Sequence, residues 1–291
     1  MSATTTFQNF VAQKTREAET AAIERLSTLF DRRDDSRVQR IGNAWSRLHY
    51  GGDFGLVRPH QARTAVSLVF VQTKDGNTGG PNPGAFGAGG TDKHLIYEGL
   101  SRVAADAVLA GAGSVHRHAF FSVWHPDLVA LRASLSLPRH PAQIVVSKRG
   151  GLDFDGLLFN VPGARVFLLA GDECLARHAS ALRARPWVRL IPFNGDALDV
   201  VFDRLRLEDG IRRISAIGGR FTATQLVDAG LIDDLYLTTT SREGGEPGTP
   251  WYSGVAPPQL TAITSKQWDE GGSRVVFDHF LIAVHRESRS A

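Results

Sequence analysis

The chain has one cysteine, Cys174, among 291 residues. That excludes an internal disulfide and any multi-cysteine zinc site within one subunit. Long apolar runs are also missing. No stretch of about 18 apolar residues occurs, and the start, MSATTTFQNFVAQKTREAET, has no apolar core of signal-peptide length. These absences set the expectation of a soluble cytoplasmic protein without a membrane partner. An excess of one charge is lacking too: 33 Lys+Arg against 30 Asp+Glu leave a formal charge of +3. The arginines are scattered rather than gathered into a basic stripe, which argues against a nucleic-acid partner. Neither a GxGxxG fingerprint, nor a P-loop Lys-Ser/Thr, nor a Gly-x-Ser-x-Gly elbow is present.

What is present supports a large α/β core, with 42% hydrophobic and 22% charged residues. Residues Phe10 to Phe30 carry Val11, Ala18, Ala22, Leu26 and Leu29 at approximate helical spacing. The charge cluster FDRRDDSRVQR then reads as a solvated connector. Residues 1–61 are therefore expected to form an N-terminal helical appendage and linker, and 62–291 the main domain. From Ala62 onward, buried-strand runs alternate with helical patterns. TAVSLVFVQ (64–72), AVLAGAG (107–113), AQIVVS (142–147), ARVFLLAG (164–171), VRLIPF and RRISAIGG read as strands. DKHLIYEGLSRVAADA (92–107) and ALDVVFDRLRLEDG read as helices, and DDLYLTTTS and SRVVFDHFLIAVHR as closing strands, the last long enough to pair antiparallel. Such alternation implies an α/β fold with a mostly parallel sheet covered on both faces.

Strand runs end in glycine at Gly111, Gly171 and Gly218. Ligands of open α/β sheets gather beyond the carboxyl ends of the strands, where such glycines lie. Gly218 and Gly219 separate a strand from a helix whose start is expected near Ala223, because Thr222 and Gln225 fit a capping box. The free N–H groups and dipole at that start suit a phosphate or pyrophosphate, although a bare tight turn explains the glycines equally well. AGAGSV (110–115) is a second glycine-rich strand end. VVSKRGG (145–151) places Ser147, Lys148 and Arg149 just past a strand, as a ribose 2′-phosphate would require. Read alone, this basic turn is a solvated loop; it is the combination of three such strand ends that points to a dinucleotide. His116, His118 and His125 are ordinary loop histidines in this reading, and no metal is expected.

ADAVLAGAGSV and GGRFTATQLVDAGLIDDL, in their order along the chain, resemble the reductase domain of the bacterial bifunctional deaminase-reductases of riboflavin biosynthesis. The resemblance spans roughly residues 62 to 285. It implies a dihydrofolate-reductase-like, three-layer α/β/α fold with a mixed, mostly parallel sheet, and an NADPH-dependent reductase acting on a small substrate, as a homodimer. Carried over by motif, Gly111, Ala112, Gly113 and Ser114 would border the cofactor. Ser147, Lys148 and Arg149 would face its 2′-phosphate. Gly218, Gly219, Arg220, Phe221 and Thr222 would hold the pyrophosphate, with Gln72, Thr73 and Gly76 beside the nicotinamide. The zinc deaminase half needs a Pro-Cys-x-x-Cys element, which this chain lacks, so reduction alone is expected. The family's Glu before the glycine pair is Ile217 here, its following proline is Arg220, a first-strand lysine aligns with Val69, and its Asp-Asp-Pro element is replaced by His116–Phe120. The cofactor side of the pattern is retained while the substrate side differs, implying another substrate, of pyrimidine or pterin type. A non-catalytic dinucleotide-binding or assembly protein on the same fold is the alternative.

Hydride transfer requires positioning and water exclusion more than acid–base pairs. Should a proton donor be needed, Asp75, Asp92 and His94 flank the glycine-rich loop 76–90 and are the candidates. Competing structural roles are a turn position for Asp75 and a helix cap or first-turn position for Asp92.

Overall fold

Residues Ala65–Gln72 (β4) show why the sheet is covered on both sides: all but the last are buried. Alternate side chains leave a strand on opposite faces. Val66, Leu68 and Phe70 accordingly enter one core, and Val69 and Val71 the other. In the computed structural model, which describes residues 3–59, 63–80, 86–161, 163–193 and 198–283, β4 stands near the middle of a ten-stranded sheet. The other members are β1 (Ser27–Asp31), β5 (Ala107–Gly111), β6 (Ala142–Ser147), β7 (Val166–Ala170), β8 (Val188–Pro192), β9 (Arg213–Ala216), β10 (Asp234–Thr240), β11 (Leu260–Glu270) and β12 (Ser273–Ile282). Their order is β1-β11-β12-β10-β4-β9-β5-β6-β7-β8. Pairing is parallel from β10 through to β8 and antiparallel from β10 through β12 and β11 to β1. A small hairpin of β2 (Val38–Ile41) and β3 (Phe54–Val57) stands apart from this sheet.

The chain leaves β4, crosses to β5 and runs outward to β8. It then returns through helix α7 (Leu198–Asp209) to β9, between β4 and β5, and through α8 (Arg220–Asp228) to β10. That reversal opens a crevice at the carboxyl ends of β4, β9 and β5. Leu198, Val201, Phe202 and Leu205 of α7 and Ala223 and Leu226 of α8 pack on one face of the sheet. The opposite face is covered by Leu95, Ile96 and Leu100, with Tyr50 and Phe54 from the N-terminal region.

Three local expectations are corrected. First, the helix expected over Phe10–Phe30 is α1, Ala3–Glu19, and residues 27–31 form an edge strand instead. The open edge of β11 supplies its hydrogen bonds, a tertiary effect that local spacing does not register. Second, the charge cluster after it is not merely solvated. Arg33 is 9% exposed; its Nε donates to Asp31 Oδ1 at 2.8 Å and its Nη1 to the Asp53 carbonyl at 2.7 Å. Third, the helix expected at 92–107 begins as α3 (Gly89–Thr91) and widens into a π-helix over Asp92–Leu100. The Ser101 N–H, for example, donates to the Ile96 carbonyl at 2.9 Å. The boundary between residues 61 and 62 lies outside the described residues, as do residues 81–85 of the glycine-rich loop.

Candidate functional site

β4, β9, β5 and β6 are neighbours and parallel, so their carboxyl ends stand side by side. Gly218 and Gly219 follow β9 with φ of +122° and +82°, a backbone that strains any residue with a Cβ. α8 starts at Arg220, not near Ala223, and Gly219 is its N-cap with no side-chain cap. The expected capping box is thus not formed. The glycine turn starts the helix earlier, and the first intrahelical bond there is from the Ala223 N–H to the Gly219 carbonyl at 2.9 Å. The N–H groups of residues 220–222 precede that bond and have no intrahelical acceptor.

The hydroxyl of Thr222 is put to another use. A Cβ at Gly111 would stand 2.5 Å from Thr222 Oγ1, so glycine there is a packing requirement. A Cβ at Gly219 would lie 3.6 Å from the same oxygen and 3.7 Å from Ser114 Oγ. Ser114 closes a short 3-10 turn, Ala112–Ser114, directly after β5. Gly111, Ser114, Gly219 and Thr222 therefore converge. At the end of β6, Ser147 Oγ accepts from the Gly150 N–H at 3.1 Å. Gly150 and Gly151 have φ of +82° and +93°, and Lys148 and Arg149 on this turn are exposed.

Other nominated residues are placed elsewhere. Gln72 Nε2 donates to Thr239 Oγ1 at 3.1 Å, and Thr73 Oγ1 to the Gly244 carbonyl at 3.1 Å. Asp75 accepts from Asn77 Nδ2 at 3.0 Å, beside Gly76 with φ +81°. Hydrogen bonds from Thr73 hold its carboxyl below the usual range. This stretch is a turn fastened to the 239–249 segment, and none of the four lines the cleft described below. Arg220 reaches toward Glu246 at 3.9 Å, and Phe221 is 70% exposed.

Behind the glycine turns lies a cleft of about 880 Å³, bordered by Gly113, Ser114 and Ile217 from the strand-end side. Its floor carries Asp92, Tyr97 and Arg102, three residues spaced five apart. In a π-helix the hydrogen bonds run i→i+5, which brings positions five apart into line; Arg102 follows just past its end. Phe10 and Lys14 of α1, and the exposed His116 and His118, line the cleft as well. The carboxyl of Asp92 is 4% exposed, and its Oδ1 accepts from Thr238 Oγ1 at 2.5 Å. Asp92 lies in the first turn of the π-helix, one of the two structural positions expected for it, and Thr91 is the N-cap. Burial raises its pKa to about 7 against the pull of the Thr238 bond, and Glu270 adds to the rise.

His94 is buried, its Nδ1 3.2 Å from Glu98 Oε2 without a hydrogen bond; that oxygen accepts from the Trp124 N–H at 3.0 Å. His125 accepts from the Asp127 N–H at 3.3 Å and stacks on Trp45, away from His116 and His118. Among the described residues no group of three or more His, Cys, Asp or Glu is placed to hold a metal ion, and no helix is long and apolar enough to cross a membrane. Sequence reading missed Tyr97, Arg102, Thr238 and Phe10. The five-residue spacing was the one signal available, and an α-helical period conceals it.

The model of the RibD C-terminal domain matches residues 65–277, and the chain belongs to this family. No curated protein matches it in sequence. Among solved structures it is similar to a pyrimidine reductase-like protein of Corynebacterium diphtheriae, with 18% identity over 76% of this chain and 92% of that one, at a TM-score of 0.64. RibD of Acinetobacter baumannii gives 13% identity over 77% and 59% of the two chains and a TM-score of 0.57. A Thermotoga maritima diaminohydroxyphosphoribosylaminopyrimidine deaminase/5-amino-6-(5-phosphoribosylamino)uracil reductase gives 17% over 76% and 57%, with a TM-score of 0.50. At these identities the likeness shows the fold: this is the α/β fold of RibD reductase structures, with its mixed, mostly parallel sheet. The chain spans somewhat under two thirds of the two longer proteins.

Proposed function

We propose that this member of the RibD C-terminal domain family is an NADPH-dependent reductase whose small substrate, a pyrimidine- or pterin-like heterocycle, occupies the cleft beside Asp92. The observation that carries this reading is the continuous edge made by the ends of β9, β5 and β6. Along it stand, in order, a helix start with unpaired N–H groups, two hydroxyls against a glycine turn, and a turn bearing two exposed cations. A pyrophosphate fits the first, since any Cβ at Gly218 or Gly219 is strained and the N–H groups there lack acceptors. A 2′-phosphate fits Lys148 and Arg149, with Ser147 fixing their turn. Gly111 to Ser114 border the middle of the dinucleotide. Gln72, Thr73 and Gly76 hold the end of β4, next to β9, where the nicotinamide belongs in this reading.

When bound, the dinucleotide supplies the hydride. The chain's own residues hold and orient the two reactants, and α1 with Phe10 limits water at the far side of the cleft. Asp92 holds a proton at the cleft floor near neutrality because its surroundings are apolar. It is the acid best placed to give one up; Asp75 lies in its turn and His94 does not line the cleft. Ile217 puts an apolar side chain at the cleft wall, and Val69 is fully buried in the core. Both support a substrate other than that of the deaminase-reductases. With a single cysteine, this chain supplies no zinc deaminase site, so the proposed activity is reduction alone. Homodimeric assembly and a cytoplasmic location complete the reading, and light scattering on the purified protein checks the former.

The test is a titration with NADPH and with NADH, followed by nicotinamide fluorescence, on the wild type and a Gly219→Asp variant. Tighter binding of NADPH, lost in the variant, supports the cofactor assignment; no binding of either overturns it. Tight NADPH binding without oxidation by any pyrimidine or pterin offered supports the non-catalytic alternative.

A further inference from the structure

A second cavity, of about 540 Å³, lies at the opposite end of the sheet, where β4 and β10 begin and β12 ends. Three arginines line it: Arg37, Arg58 and Arg63. The β2–β3 hairpin brings the first two side by side, since Val38 pairs with Val57 and the Arg58 N–H donates to the Arg37 carbonyl at 2.9 Å. The one carboxylate in the lining, Asp233, is engaged at both oxygens, Oδ1 by Arg63 Nη2 and Oδ2 by the Val66 N–H at 2.9 Å. Arg63 Nη1 is buried without an acceptor among the described residues. Arg58 Nε donates to the Asp35 carbonyl at 3.0 Å, which leaves its two terminal nitrogens. The nearby carboxylates are committed elsewhere. Asp34 accepts from Ser36 Oγ at 2.7 Å, Asp35 pairs with Arg40 at 2.6 Å, and neither lines the cavity. Three guanidiniums against one carboxylate leave two positive charges unmatched. The remaining wall is apolar, with Pro59, Leu281 and Ile282. The hairpin is fastened to the sheet, because Val38 and Val57 pack on Ile263 and Leu281 and Arg213 Nη1 donates to the Val57 carbonyl at 2.5 Å. Nine of the ten lining residues fall outside the matched range 65–277, so the cavity is made by what this chain adds to its family's domain.

We propose that this cavity binds a small phosphate monoester, its phosphate held by Arg37 and Arg58 and its organic part laid against Pro59, Leu281 and Ile282. A guanidinium offers parallel N–H groups that match two phosphate oxygens, and the fork suits phosphate better than a point charge does. A monoester carries close to two negative charges at neutral pH, which balances the two unmatched arginines, whereas a monocarboxylate balances one. The volume lies in the range of pockets for small organic ligands. Inorganic phosphate alone would leave the apolar wall uncovered. Because the hairpin is fixed before the ligand arrives, little ordering entropy is lost on binding. The site is separate from the edge assigned to the dinucleotide. It lies at the amino ends of β4 and β10, and the eight residues of β4 put roughly 23 Å between the two ends of that strand. One phosphate cannot serve both. The inference therefore stands independently of the reductase reading, and it gives the N-terminal region a ligand of its own.

The full chain is titrated by calorimetry with phenyl phosphate, inorganic phosphate and benzyl alcohol. The expected result is that phenyl phosphate binds at least about tenfold more tightly than either of the others. Arg37→Ala combined with Arg58→Ala should weaken phenyl phosphate at least about tenfold. Lys148→Ala combined with Arg149→Ala, at the other phosphate-seeking turn, should leave it unchanged. All four side chains are exposed, and urea unfolding at the wild-type midpoint checks that both variants fold. Arg58→Gln alone, which keeps a long polar side chain without the charge, is the second variant and should weaken binding in the same direction. Equal affinity for inorganic phosphate or for benzyl alcohol overturns the proposal, as does phenyl phosphate that fails to bind or is insensitive to the arginine variants. Loss in the Lys148/Arg149 variant instead assigns the phosphate to the β6 turn and overturns it too. Whether NADPH binds does not enter these outcomes, so the site and the reductase reading fail separately.

Discussion

The glycine turns at the strand ends and the cleft behind them are built in different ways. At the turns, function is assigned to backbone: free N–H groups, positive φ and the missing Cβ of Gly111 and Gly219. In the cleft it is assigned to side chains brought from far apart, with Phe10 on α1, Asp92 and Tyr97 on the π-helix and Thr238 on β10. A backbone site is local in sequence and tolerates change around it. A side-chain site depends on tertiary packing, and its groups carry large desolvation energies. The two halves should therefore respond to perturbation in separable ways.

The largest expected effect lies in the cleft. Burial, opposed by the Thr238 bond and assisted by Glu270, raises the Asp92 carboxyl from 3.8 to about 7. The folded state thus holds this proton more tightly than the unfolded chain. The associated stability is complete below about pH 4 and is lost as the pH climbs through about 7. The loss is on the order of 4 kcal/mol. Urea unfolding of the wild type and Asp92→Asn at about pH 5 and about pH 8 checks it. The difference in stability between the two proteins should shift toward the variant as pH rises; a difference that does not change with pH removes the argument for a proton held at the cleft floor.

Next comes the support beneath the cleft. Arg132 is 1% exposed. Its Nη1 donates to the carbonyls of Ala105 at 2.7 Å, Val103 at 3.1 Å and Arg102 at 3.3 Å, and its Nε to that of Pro138 at 2.6 Å. The carbonyls of Arg102, Val103 and Ala105 follow the π-helix, where regular bonding stops. Arg132→Met keeps much of the volume but removes every donor, and should cost about 3 kcal/mol in thermal or urea unfolding. Since Arg102 belongs to this segment, ligands of the cleft should weaken while NADPH affinity stays the same. Equal loss at both would mean that the two regions are one mechanical unit.

That separation also marks what could be read from the chain. β4, β5, β6 and β7 are nearly continuous apolar runs because both faces are covered, so their burial is written locally. Gly111 and the Gly218–Gly219 pair were legible for the same reason, as each answers a constraint on its own backbone. β11 was not. Its buried Lys266 breaks the apolar pattern, and its ammonium is met by Thr28 Oγ1 at 2.7 Å, the Gly51 carbonyl at 3.2 Å and the Tyr50 ring at 4.5 Å, all distant in sequence. Asp92 was nominated for its position beside a loop. Its partner Thr238, 146 residues away, left no trace in local pattern. The π-helix was read as an α-helix because its buried Leu95, Ile96 and Leu100 fit either period, whereas Asp92, Tyr97 and Arg102 fit only the wider one. Thr222 and Gln225 have capping-box spacing, yet the box yields to Gly219, whose φ of +82° turns the chain sooner.

At the glycine turns the expected changes are smaller and confined to the cofactor. Gly219→Asp places a carboxylate and a Cβ at φ +82°, where the proposed pyrophosphate meets the helix start. NADPH affinity should fall about a hundredfold, near 2.7 kcal/mol, while Gly219→Ala, which adds strain without charge, should lose less. Fluorescence titration measures both. Binding of ligands in the cleft should be untouched in each, and a parallel loss there would join the two sites.

The smallest effect is the most specific. Lys148 and Arg149 are exposed, so each charge acts through solvent and is worth little alone. Their turn is nevertheless fixed, because Ser147 Oγ holds the Gly150 N–H at 3.1 Å and a Cβ at Gly171 would stand 2.8 Å from the Lys148 carbonyl. The cations are thus presented on a rigid support, which reduces the entropy lost when a phosphate binds. Replacing both by alanine should weaken NADPH about tenfold and leave NADH unchanged, since only NADPH carries the third phosphate. Salt near 0.5 M should shrink the difference between wild type and variant, because exposed charges are screened over a few ångströms at such ionic strength. Loss of NADH binding as well would show that the turn shapes the edge rather than reading the phosphate. In that event cofactor selectivity would have to reside in Ser114, Thr222 and the backbone around them, the part of the site that no surface charge can reach.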